Sequence, residues 1–243
     1  MLRQHGVPAR GRIGFAGYFA DDYWHDHFVV EAWEQGPSGG RWRRFDPEVT
    51  EADGLVAGPM DLPTGPQSPF MTAAEAWLAW RSGDLDVTRF GAGPGVVPEG
   101  PWFLQDYVLR ELAHLQGDEL LLWDVWGAMS GPDAPIEDAV LAMTDEVAAL
   151  LVAADAAEGV GDPAGSQGRT AGLNTARSRL GEWYRSDARL HPGGTILRFD
   201  PFAGPGEPPT PVELAPHDRS GEGVGFRMAG GRRVSSSGSP RHP

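Results

Sequence analysis

Apolar positions follow two periods along this chain: period two near the start, and a helical period from about residue 72 onward. Between Ala9 and Asp46 three apolar runs are separated by turn-forming clusters. They predict strands over Ala9–Phe19, His27–Trp33 and Arg41–Asp46. The first link, "ADDYWHD", is acidic, and the second, "EQGPSGG", is rich in the Gly, Pro and Ser that set hairpin turns. In the middle strand, alternation puts His27, Val29, Glu31 and Trp33 on one face and Phe28, Val30 and Ala32 on the other. Neither face is cleanly polar, which predicts a sheet covered on one side and lined by a cleft on the other. Glycines at 11, 14 and 17 interrupt the first strand and mark a bulge or a close backbone approach.

The flanks carry different punctuation. "MLRQHG" reads as the last turn of a helix, with Gly6 in the left-handed position after the helix end and Pro8 just beyond. A domain rarely begins on the final turn of a helix, so residues upstream of Met1 are expected. Thr50–Phe70 is a loop studded with Gly and Pro. Thr72 and Glu75 then form a capping box for a helix that presents Ala73, Trp77 and Trp80 on one side before Gly83. Trp102–Gln116 is a second helix, with Leu104, Val108, Leu112 and Leu115 along one stripe and His114 on a solvated face. Pro135–Ala157 is the longest, with a stripe from Ile136 to Leu151. A Gly-rich stretch at 159–170 precedes a short helix around Leu173–Tyr184 that docks through Leu180, Trp183 and Tyr184. Beyond about Phe202 the composition is Pro, Gly, Ser and Arg with few apolar anchors. Such a stretch buries too little surface to offset its ordering entropy. The resulting organisation is a core with its helices over 1–155, a linker and docking helix over 156–202, and a disordered tail over 203–243.

Charge and composition narrow the function. The 243 residues carry a net charge of −14. A general nucleic-acid binder needs a basic face to displace counterions, and an anionic membrane repels such a chain. No run approaches the roughly 20 apolar residues of a membrane span, and the N-terminus lacks the apolar centre of a signal peptide. There is no cysteine, hence no disulfide framework pointing to secretion. The default compartment is cytoplasmic, and no cofactor motif is present: "GAGPGVVPEG" lacks the strand and the Gly-Lys-Ser/Thr of a phosphate loop.

One constellation carries chemistry. Folding 27–33 back on 41–46 brings His27 and Asp46 side by side. A carboxylate beside an imidazole fixes its tautomer, orients it and stabilises its protonated form. His25 and His27, two apart on one strand face, with Asp21, Asp22 or Asp46 make a second, metal-binding arrangement.

"LRQHGVPAR", "GFAGYF", "DHFVVEAW" and "RWRRFDPE" together resemble the core of the transglutaminase-like superfamily, whose fold is papain-like. The resemblance continues more weakly through "MTAAEAWLAWRSGDLDVTRFG" and "LLLWDVWGAM" to about residue 155. It implies an α+β fold: an antiparallel meander packed against following helices. It implies a thiol acyltransferase or amide hydrolase with His27 as general base and acid, Asp46 as its orienter, and a peptide or protein substrate. Trp33 and Trp42 would flank the cleft. The family's nucleophilic Cys belongs on a helix ahead of the sheet. This chain has none, and no Ser precedes Ser38, which sits in a hairpin turn. The chain as given is therefore expected to be inert in thiol acyl transfer, with two alternatives: a binding module for a peptide or protein in the old cleft, or a metal-binding module built on His25 and His27.

Overall fold

The computed structural model describes residues 2–36, 39–94, 99–132, 135–158, 167–200 and 207–215. The architecture is mixed α and β, with four helices and two sheets among the described residues. The N-terminal strands form the expected meander: β1 (Ala9–Ala20), β2 (Tyr23–Gly36) and β3 (Gly39–Phe45) run antiparallel. β4 (Phe70–Thr72) joins the other side of β1, giving the order β3-β2-β1-β4, and the two-residue β5 (Phe90–Gly91) pairs parallel to β2. The first link is shorter than the sequence suggests. Most of "ADDYWHD" is strand, and the chain reverses at Asp21–Asp22, where Asp22 takes a φ of 57°. Gly14 shows why a glycine interrupts β1: a Cβ there would meet the Met71 carbonyl oxygen at 2.1 Å, so its absence lets β4 close on β1.

One face of this sheet is covered by helices. Ile13 and Phe15 are fully buried, with the Phe15 ring 5.2 Å from Tyr107 and Phe28 packing on His114. Both partners belong to α2 (Pro101–Gln116). α2 is buried from Phe103 through His114 without interruption. The solvated position expected for His114 is therefore wrong. Its Nε2–H donates to the Leu120 carbonyl at 3.0 Å, and burial lowers its pKa. Gln105, Asp106 and Arg110 are buried with it because the segment after α2 folds back. The Ser130 amide donates to Gln105 Oε1 and Asp106 Oδ1, and Arg110 donates to the Asp124 carbonyl.

α1 (Ala73–Ser82) starts on the predicted capping box, with reciprocal Thr72 and Glu75 contacts, and ends at Gly83. α3 runs Asp138–Glu158 and is tied to α1 through Asp145, which accepts from Trp77 Nε1 and Arg81. α4 spans Gln167–Ser186, longer than the short helix expected, and docks through buried Leu180 and Tyr184. Of the Gly-rich stretch expected over 159–170, residues 167–170 belong to α4, and 159–166 lie outside the described residues.

A second sheet has no counterpart in the sequence reading. β6 (Asp124–Val125), β7 (Thr195–Arg198) and β8 (Thr210–Glu213) lie in that order, and Arg198 clasps the Asp124 carboxylate with two hydrogen bonds. Residues 210–213 thus form a strand within the segment expected to be disordered; 203–206 and 216–243 lie outside the described residues. Among the described residues no helix is long and apolar enough to cross a membrane.

Candidate functional site

The sheet face turned away from α2 carries His27. Its floor is a small apolar cluster separate from the main core: Ala16, Val29, Leu62 and Phe70, with Tyr18, Phe19 and Val56 packed against it. Phe70 opens β4, and Leu62 comes from the loop after β3, which folds back onto this face through a bridge between Arg44 and Leu62. The loop that composition predicts is therefore a structural cover.

His27 and Asp46 meet as expected, diagonally rather than directly opposite. Val30 pairs with Phe45, so Asp46, one residue past β3, stands across from Val29, and His27 lies two residues away on the same face. Diagonal neighbours on one sheet face remain within reach of longer side chains. The His27 Nε2–Asp46 Oδ2 distance is 2.7 Å, and both residues are buried. Asp46 is held from several sides. Its Oδ1 accepts from the Glu48 amide at 2.8 Å, its backbone N–H donates to Pro59, and its Oδ2 also accepts from the Tyr18 hydroxyl at 2.5 Å. Among the described residues His27 Nδ1 makes no hydrogen bond, and the Phe19 ring stands edge-on to the imidazole at 4.9 Å between centroids.

Tyr18 and Phe19 are the site residues that alternation misses. Neighbours in a regular strand point to opposite faces, yet both rings reach His27. The cause is an irregularity in β1. Ala16 pairs with His25 and Ala20 with Tyr23, so residues 17–19 oppose the single residue Trp24. A bulge re-aims side chains in this way. Its one sequence signal is Gly17, where a Cβ would press on the Trp24 ring at 3.2 Å. Burial, with the Asp46 carboxylate second, pushes the Tyr18 phenol well above its usual range, so its hydroxyl stays protonated and donates.

His25 shares the face and lies beside Phe19 and Tyr23, with ring centroids 5.9 and 5.1 Å away. The acids proposed to join it in holding a metal lie elsewhere: Asp22 pairs with Arg89, and Asp46 is spent on His27 and Tyr18. Among the described residues no three of His, Cys, Asp and Glu gather in a metal-holding group. Trp33 and Trp42 do not flank His27. They pair with each other six residues further along β2, about 20 Å away, with the Arg10 guanidinium over the Trp42 ring. Ser38 lies outside the described residues.

Between the tryptophans and His27 the same face holds a buried ion network centred on Glu31. Its Oε2 accepts from Arg10 at 2.7 Å and its Oε1 from Arg44 at 2.9 and 3.1 Å. Arg12 lies within 3.5 Å and passes on to Glu111 of α2 and Asp155 of α3. The three arginines hold the Glu31 carboxyl well below the usual carboxylate range despite its burial. The strand that presents His27 is thus anchored to two helices four residues away.

Comparison with family models, with curated proteins and with solved structures returned no match.

Proposed function

We propose that this is a transglutaminase-like domain of papain-like design that keeps the proton-transfer half of a Cys-His-Asp site and, lacking cysteine, binds a peptide or protein segment there without turning it over. The observation that carries the reading is the buried 2.7 Å contact between His27 Nε2 and Asp46 Oδ2, which leaves Nδ1 without a hydrogen bond among the described residues. In thiol acyl transfer the imidazole takes the thiol proton, stabilises the thiolate and later protonates the leaving amine, while the carboxylate fixes its tautomer. With Nε2–H donated to Asp46, Nδ1 holds the lone pair such a base uses. The meander order, with the histidine on the middle strand and the aspartate just past its neighbour, agrees with the resemblance.

A chain without cysteine gives a clean test, because an introduced cysteine is its sole thiol. Phe19 lies against the imidazole, so Phe19→Cys puts a thiol in front of His27. Iodoacetamide at neutral pH should alkylate Phe19→Cys about tenfold faster than the same cysteine in a His27→Gln background, since thiolate is the reacting form. Equal rates in a folded pair of variants would overturn the assignment of His27 as a base.

A further inference from the structure

We propose that Tyr18 is a positioning residue for the His27–Asp46 pair. The β1 bulge delivers its hydroxyl to the same carboxylate oxygen that faces His27, and it tempers the pull of that oxygen on the imidazole. Tyr18 Oη lies 2.5 Å and His27 Nε2 2.7 Å from Asp46 Oδ2, while Oδ1 is occupied by the Glu48 amide. A carboxylate oxygen has lone pairs for two donors, but each donor draws charge from the oxygen and weakens the bond to the other. The phenol therefore does two things at once. It fixes the carboxylate rotamer from the side opposite Glu48, and it sets how strongly Asp46 holds the Nε2 proton. An orienter that holds this proton too strongly pins positive charge on the ring, whereas one that holds it loosely lets the ring turn. Tyr18 stays a donor because burial and the Asp46 charge oppose its ionisation. The residues flanking it suit the role. Gly17 admits the bulge, and the Phe19 ring packs beside Tyr18 against the same imidazole.

The inference rests on His27 being the base of the proposed site, yet its readout is a hydrogen bond rather than a reaction. Failure of the alkylation test would sink the functional reading, whereas failure of the test below would sink only the role of Tyr18, so the two outcomes are distinguishable. The experiment is proton NMR of the imidazole Nε2–H in the full chain, assigned by its loss in His27→Gln. Tyr18→Phe should keep the fold and move this proton downfield, because Asp46 Oδ2 then has one donor fewer. Replacing tyrosine biosynthetically by 3-fluorotyrosine, a stronger donor, should move it upfield. An unmoved Nε2–H in Tyr18→Phe makes Tyr18 a packing residue and overturns the proposal, as does the absence of any bonded Nε2–H in the natural chain. Should Tyr18→Phe unfold the protein, the fluorotyrosine shift decides: upfield supports the proposal, and no shift or a downfield one refutes it.

Discussion

Glu31 stands directly across the β2–β3 ladder from Arg44, and its Oε1 accepts both Nε and Nη2 of that guanidinium, at 3.1 and 2.9 Å. With Arg10 on its other oxygen and Arg12 nearby, Glu31 is the only carboxylate close to three buried cations on this face among the described residues. Removing its charge leaves Arg44 without a carboxylate partner among the described residues and takes one of several from Arg10 and Arg12, which keep Glu158, Glu111 and Asp155. Glu31→Gln should cost about 3–5 kcal/mol, read from denaturant unfolding at pH 7. The folded-state pKa of Glu31 is depressed below its ordinary 4.5, so its contribution is present above pH 4.5 and fades as pH falls below it. The stability gap between the natural chain and Glu31→Gln should accordingly narrow below pH 4.5. A constant gap would show that the charge is not what matters.

The hairpin that sets this pairing was legible in the sequence. "EQGPSGG" closes β2 on β3 with Gly36 opposite Gly39, and that register alone puts Glu31 against Arg44 and Asp46 within reach of His27. Period two and turn residues are local signals, and they sufficed for the meander, as the capping box sufficed for α1. The bulge was not legible, because Gly17 marks an irregularity without saying which side chains it re-aims. Nor was the burial of His114. The partners that allow a helix to bury Gln105, Asp106 and Arg110 come from Asp124 and Ser130, beyond any helical window. The second sheet escaped for a third reason. Its strands are two to four residues long, too short for alternation to register.

Asp106 should destabilise the fold at neutral pH. Burial raises its pKa from 3.8 to about 7, with Arg110 and the Ser130 amide only partly opposing. The unfolded chain loses this proton near pH 4 and the folded chain keeps it to about pH 7, so stability falls as pH rises between the two. The full penalty is roughly 4 kcal/mol, at 1.36 kcal/mol per pKa unit. Asp106→Asn retains an oxygen for Ser130 and removes the titration. It should stabilise the protein at pH 7 and do little at pH 4. A stabilisation equal at both pH values would contradict this account.

Gly14→Ala tests the junction of β1 with β4. The added methyl would sit 2.1 Å from the Met71 carbonyl oxygen and 2.9 Å from Thr72 Cα, both backbone atoms that cannot swing aside. Overpacking of this kind costs about 1–3 kcal/mol. The loss should appear as a lower melting temperature together with faster amide exchange at Met71 and Thr72, whose strand is displaced. Gly54→Ala, at an open left-handed turn position with nothing within 4 Å of an added Cβ, is the comparison. It should lower stability through backbone strain but leave β4 exchange unchanged.

The last prediction concerns the site itself. Tyr18, Phe19 and His25, each half-buried, stand beside the buried His27–Asp46 pair. Aromatic rings beside a buried polar pair suit an extended peptide that lays an apolar stem on the rings and a polar end toward Nδ1. Glutamine-bearing peptides added to isotope-labelled protein should therefore shift amide and ring resonances of residues 18–27 and leave α3 and α4 unmoved. No hydrolysed or amine-exchanged product should accumulate, because the imidazole has no thiol to activate. Phe19→Ala removes a half-buried ring from the site, a loss on the order of 1 kcal/mol, and should weaken binding about fivefold. His27→Gln keeps these rings and should change the affinity less than Phe19→Ala does, since a binding module needs the shape of the site more than its base. Turnover that disappears in His27→Gln would instead mean that another group in this chain serves as nucleophile, and the binding reading would fall.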